Sequence, residues 1–404
     1  MSPGRAKEPK PRSFDWLTIL QFGFGTLGLT LTWTLALFLL MAGMLEAART
    51  GQPLFSGLAD LVPSAGIFFI GLLLLPSTFF ALRRVLGRAS PPFIIPGRPF
   101  GLVIFLLPLL LLGGSWSVEE GLGWLALLAH LLAALLLVGW LLWLGLRGLQ
   151  PGSAQRSWGA FGSGLMASPI LAFSLEGFGL IVLIVLLAIY IQMNPALAGI
   201  LTSLQNAGST SPEVLLQELA PFFSDPLVLL AAFVSLSFFV PLIEELLKPF
   251  GVYLLLRRDL SEAQGFALGA ISGAGYALAE NLALNTQPES LFLVAAGRFG
   301  ASAMHIFTAA LSGYALVRAK KQKRAWPFLG ILVVNILIHG LWNGMVLLIV
   351  AGSLSEAGGS GLVPAGSAIF AAPMLLVVAL ACVLGLHQMN RRLNTTPPLK
   401  TITR

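Results

Sequence analysis

Glu244, Glu245 and Lys248 lie in the middle of residues 225–256, an apolar stretch that is otherwise typical of a membrane-spanning helix. Burying two adjacent carboxylates and an ammonium group in a bilayer is costly, so such residues mark function by default. Glu244 and Lys248 are four residues apart and share one helix face, on which they can pair. Glu245 is turned away from Glu244 by about 100°. A carboxylate in this setting is suited to deprotonating a water molecule.

Later spans carry further polar residues to a similar depth. Three residues each lie 13 positions from the expected cytoplasmic end of their span: Glu244, His305 and His339. At 1.5 Å per residue each lies roughly 20 Å above the inner boundary of the membrane. Glu280, on the span between those of Glu244 and His305, lies about a turn or more further from the inner boundary. A carboxylate and two imidazoles at one level predict a shared water that can attack a carbonyl group.

Local spacings place supporting residues on the same faces. Arg298 and His305 are two turns apart on one face, and His339 and Asn343 are one turn apart. An amide at Asn343 suits oxyanion contacts or the orientation of water. A glycine every fourth residue on the span after Lys248 allows a neighbouring helix to approach closely; these glycines are Gly265, Gly269 and Gly273.

Zinc is also compatible with these residue types. Glu244, His305 and His339 are the candidate ligands, and a bound zinc ion would activate a water molecule. No His-Glu-x-x-His pair lies on one helix, which favours a metal-free mechanism. The residues therefore leave the cofactor undecided between none and zinc. No serine or cysteine nucleophile has a clear base partner.

The composition defines the elements that must hold this cluster. Of 404 residues, 56% are hydrophobic and only 10% charged, whereas a soluble domain has about 25% charged residues. We therefore predict an all-α, polytopic integral membrane protein with about ten transmembrane helices. The candidate spans are 17–45, 64–82, 99–114, 121–146, 166–192, 225–256, 263–285, 291–318, 326–351 and 366–388.

Four regions follow from this order. They are an N-terminal membrane region of about five spans (1–192), an outer loop with a short surface helix (193–224), a four-span core with the polar cluster (225–351), and a final span with a cytoplasmic tail (352–404). The Gly/Ser-rich segment 352–365 is expected to be flexible. In the N-terminal region, His130 is expected to be a packed or hydrogen-bonded residue, and Glu176 is left open between a structural and a functional role.

Basic residues indicate the orientation. With the N-terminus inside, 21 of the 24 Lys and Arg residues fall in inner segments, as the positive-inside rule requires. Both termini are therefore expected to be cytoplasmic, in a protein of a prokaryotic plasma membrane. The same distribution explains the high pI of 9.9, so no nucleic-acid partner is implied. The one cysteine, Cys382, excludes an internal disulfide.

The ordered set of motifs on successive spans resembles the PrsW family of intramembrane proteases and, more distantly, the CAAX prenyl endopeptidases. The motifs are Glu244-Glu245-x-x-Lys248, Gly273-Ala-Gly-Tyr-Ala-Leu-Ala-Glu280-Asn281, Arg298 with His305, and His339-x-x-x-Asn343. They cover roughly residues 225–351. The wider superfamily has Arg at Lys248 and Phe at Ala301, and these departures favour the PrsW branch over enzymes with prenylated substrates.

This resemblance implies a peptidase that acts on a membrane-anchored protein in the lipid bilayer, such as an anti-sigma factor or a membrane precursor. Glu244 would be the water-activating base and Glu245 its partner. The rest of the site would be Glu280, His305, His339 and Asn343, supported by Lys248, Arg298 and Asn281. Family members are described both as metal-dependent and as metal-free glutamate peptidases.

Two other functions fit the same residues. Buried Glu, His and Lys could form a proton or ion relay in a transporter, although no inverted repeat is visible and the polar residues crowd into one half of the chain. A non-catalytic membrane scaffold could keep the cluster as a self-satisfied structural network. In that case Glu244→Gln would destabilise the protein instead of silencing it selectively.

Overall fold

A computed structural model of the chain describes residues 15–50, 58–120, 122–195, 197–199, 224–283, 291–358, 363–364 and 366–395. Within these ranges the protein is all α-helical, as predicted, and its single β-bridge joins two loop residues. The helices are α1 (Trp16–Thr50), α2 (Leu58–Val85), α3 (Leu107–Glu119), α4 (Gly123–Leu146), α5 (Ala154–Gly162), α6 (Ser168–Met193), α7 (Pro226–Val234), α8 (Val240–Leu247), α9 (Phe250–Leu255), α10 (Glu262–Ala283), α11 (Leu291–Gln322), α12 (Trp326–Gly358) and α13 (Ala368–Thr395).

Nine helical segments of the described part are long and apolar enough to cross a membrane. They correspond to nine of the ten predicted spans. Three consist of several helices in line. A 3₁₀-helix (Arg98–Leu106) leads into α3, and α5 and α6 are joined by a π-helical turn. The segment of residues 226–255 consists of α7, a π-helical turn, α8 and α9. The side of the membrane that each end faces stays a prediction of the loop charges, which labelling of single introduced cysteines would test.

The one predicted span not among these nine is residues 263–285, the seventh along the chain. It corresponds to α10, which is not apolar enough to be counted with them. Of its 22 residues, 17 are buried. Because α10 is enclosed by other helices, its surface need not match lipid tails and is instead built from small residues. The predicted glycine ridge is confirmed: Gly265 contacts Gly313, Gly269 contacts Ala309, and Gly273 contacts His305, all on α11.

Glycines also hold the opposite side of α10. Gly275 packs against the backbone of Phe161 and Leu165, and Gly164 packs against the carbonyl group of Ser272. The central helix is therefore wedged between α11 and the π-helical turn that follows α5. Close backbone contact on both sides fixes the depth of every side chain that α10 carries.

Prolines interrupt the helical segment of residues 226–255. Pro241 has no N–H, and the turn just before it is π-helical (Ser235–Phe239). Pro249 separates α8 from α9. The freed carbonyl groups find side-chain donors: Asn343 Nδ2 donates to Leu236 O at 2.9 Å, and Ser272 Oγ donates to Lys248 O at 2.6 Å. Each break therefore ties the segment to a neighbouring helix.

Three further expectations from the sequence have different outcomes. The prediction that segment 352–365 is flexible is wrong for its first part, because α12 continues as a helix to Gly358. Most of the predicted outer loop 193–224, including its surface helix, lies outside the described residues. His130 is hydrogen-bonded, as expected, with Nε2 3.3 Å from Asn281 O.

Replacing Gly269 by alanine tests the close contact of α10 with α11. The added Cβ would collide with the carbonyl group of Ala309 and lie 3.1 Å from the Cα atom of Ala310. Because both are backbone atoms, relief requires a shift of one helix, and we expect a loss of about 1–3 kcal/mol in the free energy of unfolding. Thermal unfolding in detergent measures this. Gly297→Ala on α11 is the control, because nothing lies within 4 Å of its added Cβ; equal melting of both variants would contradict the packing described.

Candidate active site

Four helices bring the predicted polar residues into one cluster. Helix α8 and the turn after it supply Glu244, Glu245 and Lys248, α10 supplies Glu280 and Asn281, α11 supplies Arg298 and His305, and α12 supplies His339. Most of these side chains are buried; Glu245 and Lys248 have no exposed surface, and both imidazoles are about 2% exposed. Side chains from successive predicted spans thus meet in one place; their depth in the membrane stays a prediction.

Lys248 is the centre of the charge pairing. Its Nζ atom donates to Glu245 Oε1 at 2.6 Å and lies 3.2 Å from Glu244 Oε2. The same nitrogen is 3.2 Å from His339 Nδ1. The predicted pair of Glu244 and Lys248 is therefore present, although the shorter contact is with Glu245. A fully buried ammonium group needs such partners, because it has lost its water.

Each imidazole is held by a carboxylate on one of its nitrogens. His339 Nδ1 is 3.0 Å from Glu245 Oε1, and His305 Nε2 is 3.0 Å from Glu280 Oε2. If these nitrogens carry the protons, His339 Nε2 and His305 Nδ1 are free as acceptors. Those two atoms lie 3.8 Å and 4.0 Å from the same oxygen, Glu244 Oε2.

The outer part of the cluster fixes Glu280. Arg298 donates to Glu280 Oε2 at 3.0 Å and also to the side-chain oxygen of Asn281. Asn281 Nδ2 in turn donates to Ser302 Oγ at 3.1 Å. The network links α10 to α11 through Arg298 and Ser302, which lie two turns and one turn before His305. The three predicted supporting residues, Lys248, Arg298 and Asn281, thus all contact the carboxylates or each other.

A further amide fixes α12, which carries His339. Asn335 lies one helical turn before His339, and its Nδ2 atom donates to Thr308 O at 2.8 Å and to Ser312 Oγ at 2.9 Å. Both acceptors belong to α11. This buried amide therefore holds the two histidine-bearing helices in one register, a role that the sequence analysis did not identify.

Asn343 is not brought to the cluster. Its amide donates to the carbonyl group of Leu236, five residues before Pro241. The Asn343 side chain is partly exposed. The spacing of His339 and Asn343 places them on one helix face, but the amide meets backbone there and not the carboxylates. The structure therefore gives Asn343 a part in positioning α8 and offers no oxyanion contact from it.

The structure places two residues beside the cluster that had no assigned role in it. The centroids of the Tyr276 and His305 rings are 5.5 Å apart, and Lys248 Nζ lies 5.2 Å from the centroid of the Tyr276 ring. Glu176 faces the cluster from α6, within electrostatic range of Glu244 and Glu280, and its buried Oε1 has no hydrogen-bond partner among the described residues. The i, i+4 spacing of Tyr276 and Glu280 is the signal that could have identified the tyrosine.

Glu244, His305 and His339 fit a metal ion. One ligand atom from each lies within 4.8 Å of the others. Two of these atoms, Glu244 Oε2 and His305 Nδ1, are buried and have no hydrogen-bond partner in the described part of the chain. Two imidazoles and a carboxylate are a common set of protein ligands in catalytic zinc sites, and a carboxylate behind each ligating histidine is the usual support. The missing His-Glu-x-x-His pair has little weight here, because the three ligands come from three helices.

The sequence model of a PrsW family intramembrane metalloprotease matches residues 158–381, more than half of the 404-residue chain. The chain belongs to this family. The matched range contains the whole cluster and also Glu176, so it is wider than the 225–351 that the motifs indicated, and it includes the fifth predicted span. Searches of the curated proteins and of the solved structures found no match.

Lys248→Met tests the charge pairing at the centre of the site. Removing the ammonium group leaves Glu245 buried without its closest partner, so we expect a loss of about 3–5 kcal/mol in the free energy of unfolding. Thermal or denaturant unfolding in detergent gives the measurement. Lys321→Met, at the exposed end of α11, is the control and is expected to be nearly neutral. Unchanged stability of Lys248→Met would show that the cluster does not depend on this ion pair.

Proposed function

We propose that this chain is an intramembrane endopeptidase in which Glu244, His305 and His339 bind the water that attacks a peptide bond. One observation carries the proposal: each imidazole is held by a carboxylate on one nitrogen and directs the other toward the same oxygen of Glu244, which accepts no hydrogen bond from the described residues. A structural network would satisfy all of its buried polar atoms. Here the unsatisfied atoms face one another, as binding groups do.

We propose further that these three residues hold one zinc ion, through Glu244 Oε2, His305 Nδ1 and His339 Nε2. The support is the ligand set, the two carboxylates behind the histidines, and the description of the family as metalloproteases. When bound, zinc would polarise a water molecule or the substrate carbonyl group. Glu245 and Glu280 would keep the imidazoles in the tautomer that leaves the ligating nitrogens free.

Glu244 is also the proposed proton carrier, through Oε1, the carboxylate oxygen that the proposed metal site does not use. No described residue donates a hydrogen bond of normal geometry to its carboxylate. The carboxylate would take one proton from the attacking water while the water oxygen forms a bond to the carbonyl carbon. It would then return that proton to the amide nitrogen as the C–N bond breaks, leaving a carboxylic acid and an amine. Lys248 limits the repulsion between Glu244 and Glu245 while this proton moves.

The substrate proposed is a protein anchored in the membrane. Membership of an intramembrane protease family implies a substrate of this class, and the cluster lies well inside the helical bundle. An anti-sigma factor or a membrane-tethered precursor is a suitable example. A substrate helix must unwind near the site, because a carbonyl group bonded within an intact helix offers poor access to the attacking water.

Glu244→Gln tests this function. The amide keeps the shape of the side chain but cannot accept the proton, so we expect cleavage to fall by about 10²–10⁴-fold. Membranes from cells that produce either form would be compared by mass spectrometry of labelled N-termini, which detects new ends of membrane proteins. Glu46→Gln is the control, because Glu46 is exposed, lies far from the cluster in the sequence and pairs with Arg49.

The expected result is a set of membrane-protein ends present with the wild type and Glu46→Gln but absent with Glu244→Gln. Thermal unfolding of the purified variants belongs to the same experiment. Equal sets of ends in all three samples would contradict a peptidase. Loss of folding in Glu244→Gln would instead favour the structural-network reading.

A further inference from the structure

Tyr276 differs from the other tyrosines of the chain. The chain has four, and the structure describes all of them. Three hydroxyl groups are hydrogen-bonded: Tyr190 donates to Asp225 at 3.0 Å, Tyr253 donates to Leu246 O at 3.0 Å, and Tyr314 accepts from Arg318 at 2.7 Å. Tyr276 is the most deeply buried and has no hydrogen-bond partner among the described residues.

The ring of Tyr276 cannot easily turn its hydroxyl group elsewhere. It is fully buried, packs with Ala172 of α6 and Ile243 of α8, and lies against the imidazole of His305. The hydroxyl group lies beside the carboxylate of Glu244 without a hydrogen bond of normal geometry. A buried hydroxyl group without a partner is unfavourable, and a phenylalanine would avoid that cost. The hydroxyl group is therefore held ready for a partner that enters the site.

The hydroxyl group is the donor among the unpartnered atoms of the cluster. Glu244 Oε2, Glu245 Oε2 and His305 Nδ1 are also buried, and no described residue forms a hydrogen bond with them. The two carboxylate oxygens are acceptors, and the nitrogen is an acceptor when His305 donates to Glu280 through Nε2. Lys248 is already engaged with Glu245 and Glu244. An oxyanion needs donors, and Asn343, the residue expected to provide one, contacts Leu236 instead.

We propose that Tyr276 is a catalytic residue whose hydroxyl group donates a hydrogen bond to the carbonyl oxygen of the scissile peptide bond. This inference rests on the proposed peptidase function. When the water oxygen bonds to the carbonyl carbon, the electron pair of the C=O bond moves to that oxygen, and the Tyr276 O–H stabilises the negative charge without giving up its proton. The electron pair on that oxygen re-forms the C=O bond as the C–N bond breaks, and the amine leaves with the proton carried by Glu244.

Tyr276→Phe removes this donor and little else. A donor that acts mainly on the oxyanion contributes chiefly in the transition state, so we expect kcat to fall by about 10²–10³-fold while KM changes little. The substrate would be one of the membrane proteins whose cleavage depends on Glu244. The metal content is expected to equal that of the wild type, and the melting temperature to be equal or higher. Tyr253→Phe is the matched control, because its hydroxyl group lies outside the cluster.

A probe that needs no known substrate separates this inference from the proposed function. A phosphinic dipeptide analogue carries a tetrahedral, negatively charged group in place of the scissile bond, and calorimetry in detergent measures its binding. We expect the wild type and Tyr253→Phe to bind it equally and Tyr276→Phe to bind it about 10–100-fold more weakly. Equal binding by Tyr276→Phe would overturn the role of Tyr276 alone. No binding by the wild type, together with no Glu244-dependent cleavage, would overturn the proposed function and this inference with it.

Discussion

The structure depends on a buried ammonium group shared by two adjacent carboxylates. Lys248 lies between Glu244 and Glu245 inside a helical segment that is otherwise suited to lipid. Charges in such a position are stable only when partners replace the lost water. The other polar helices meet this need. His339 contacts Glu245, and Glu280 with Arg298 completes the charges around His305. The same pairing that makes the cluster stable also orients its imidazoles.

Backbone features hold these helices at the distances that the cluster requires. Pro241 removes a donor from its helix, the turn before it is π-helical, and the carbonyl group of Leu236 accepts from Asn343 of α12. Gly273 brings the backbone of α10 against His305 of α11. Asn335 then joins α11 to α12. Each of these contacts is a constraint between two helices, so the geometry of the site is spread over residues that never touch a substrate.

The sequence predicted much of this arrangement because burial in lipid makes polar residues conspicuous. Hydropathy gave nine of the ten spans, and equal distances from helix ends correctly grouped Glu244, His305 and His339. It could not show that α10 is enclosed by protein, since its composition resembles neither a soluble helix nor a lipid-facing one. Helical spacing also could not show what Asn343 meets, because that depends on a carbonyl group that a proline frees on another helix. The sequence did not indicate a role for the Tyr276 hydroxyl group for a related reason. Only the packing shows that this group has no hydrogen-bond partner among the described residues.

The central claim is that Glu244, His305 and His339 form one binding site for a catalytic metal ion. Mass spectrometry of metal content in detergent-purified protein, after removal of loosely bound metal and addition of one equivalent of zinc, tests it most directly. The chain has four histidines, so His130→Ala/His387→Ala is a matched control for His305→Ala/His339→Ala. We predict about one zinc ion per chain in the wild type and in the control, and almost none in the His305/His339 variant, by the ligand chemistry of such sites. A folded wild type that retains no zinc, or a His305/His339 variant that retains as much as the control, would contradict the claim.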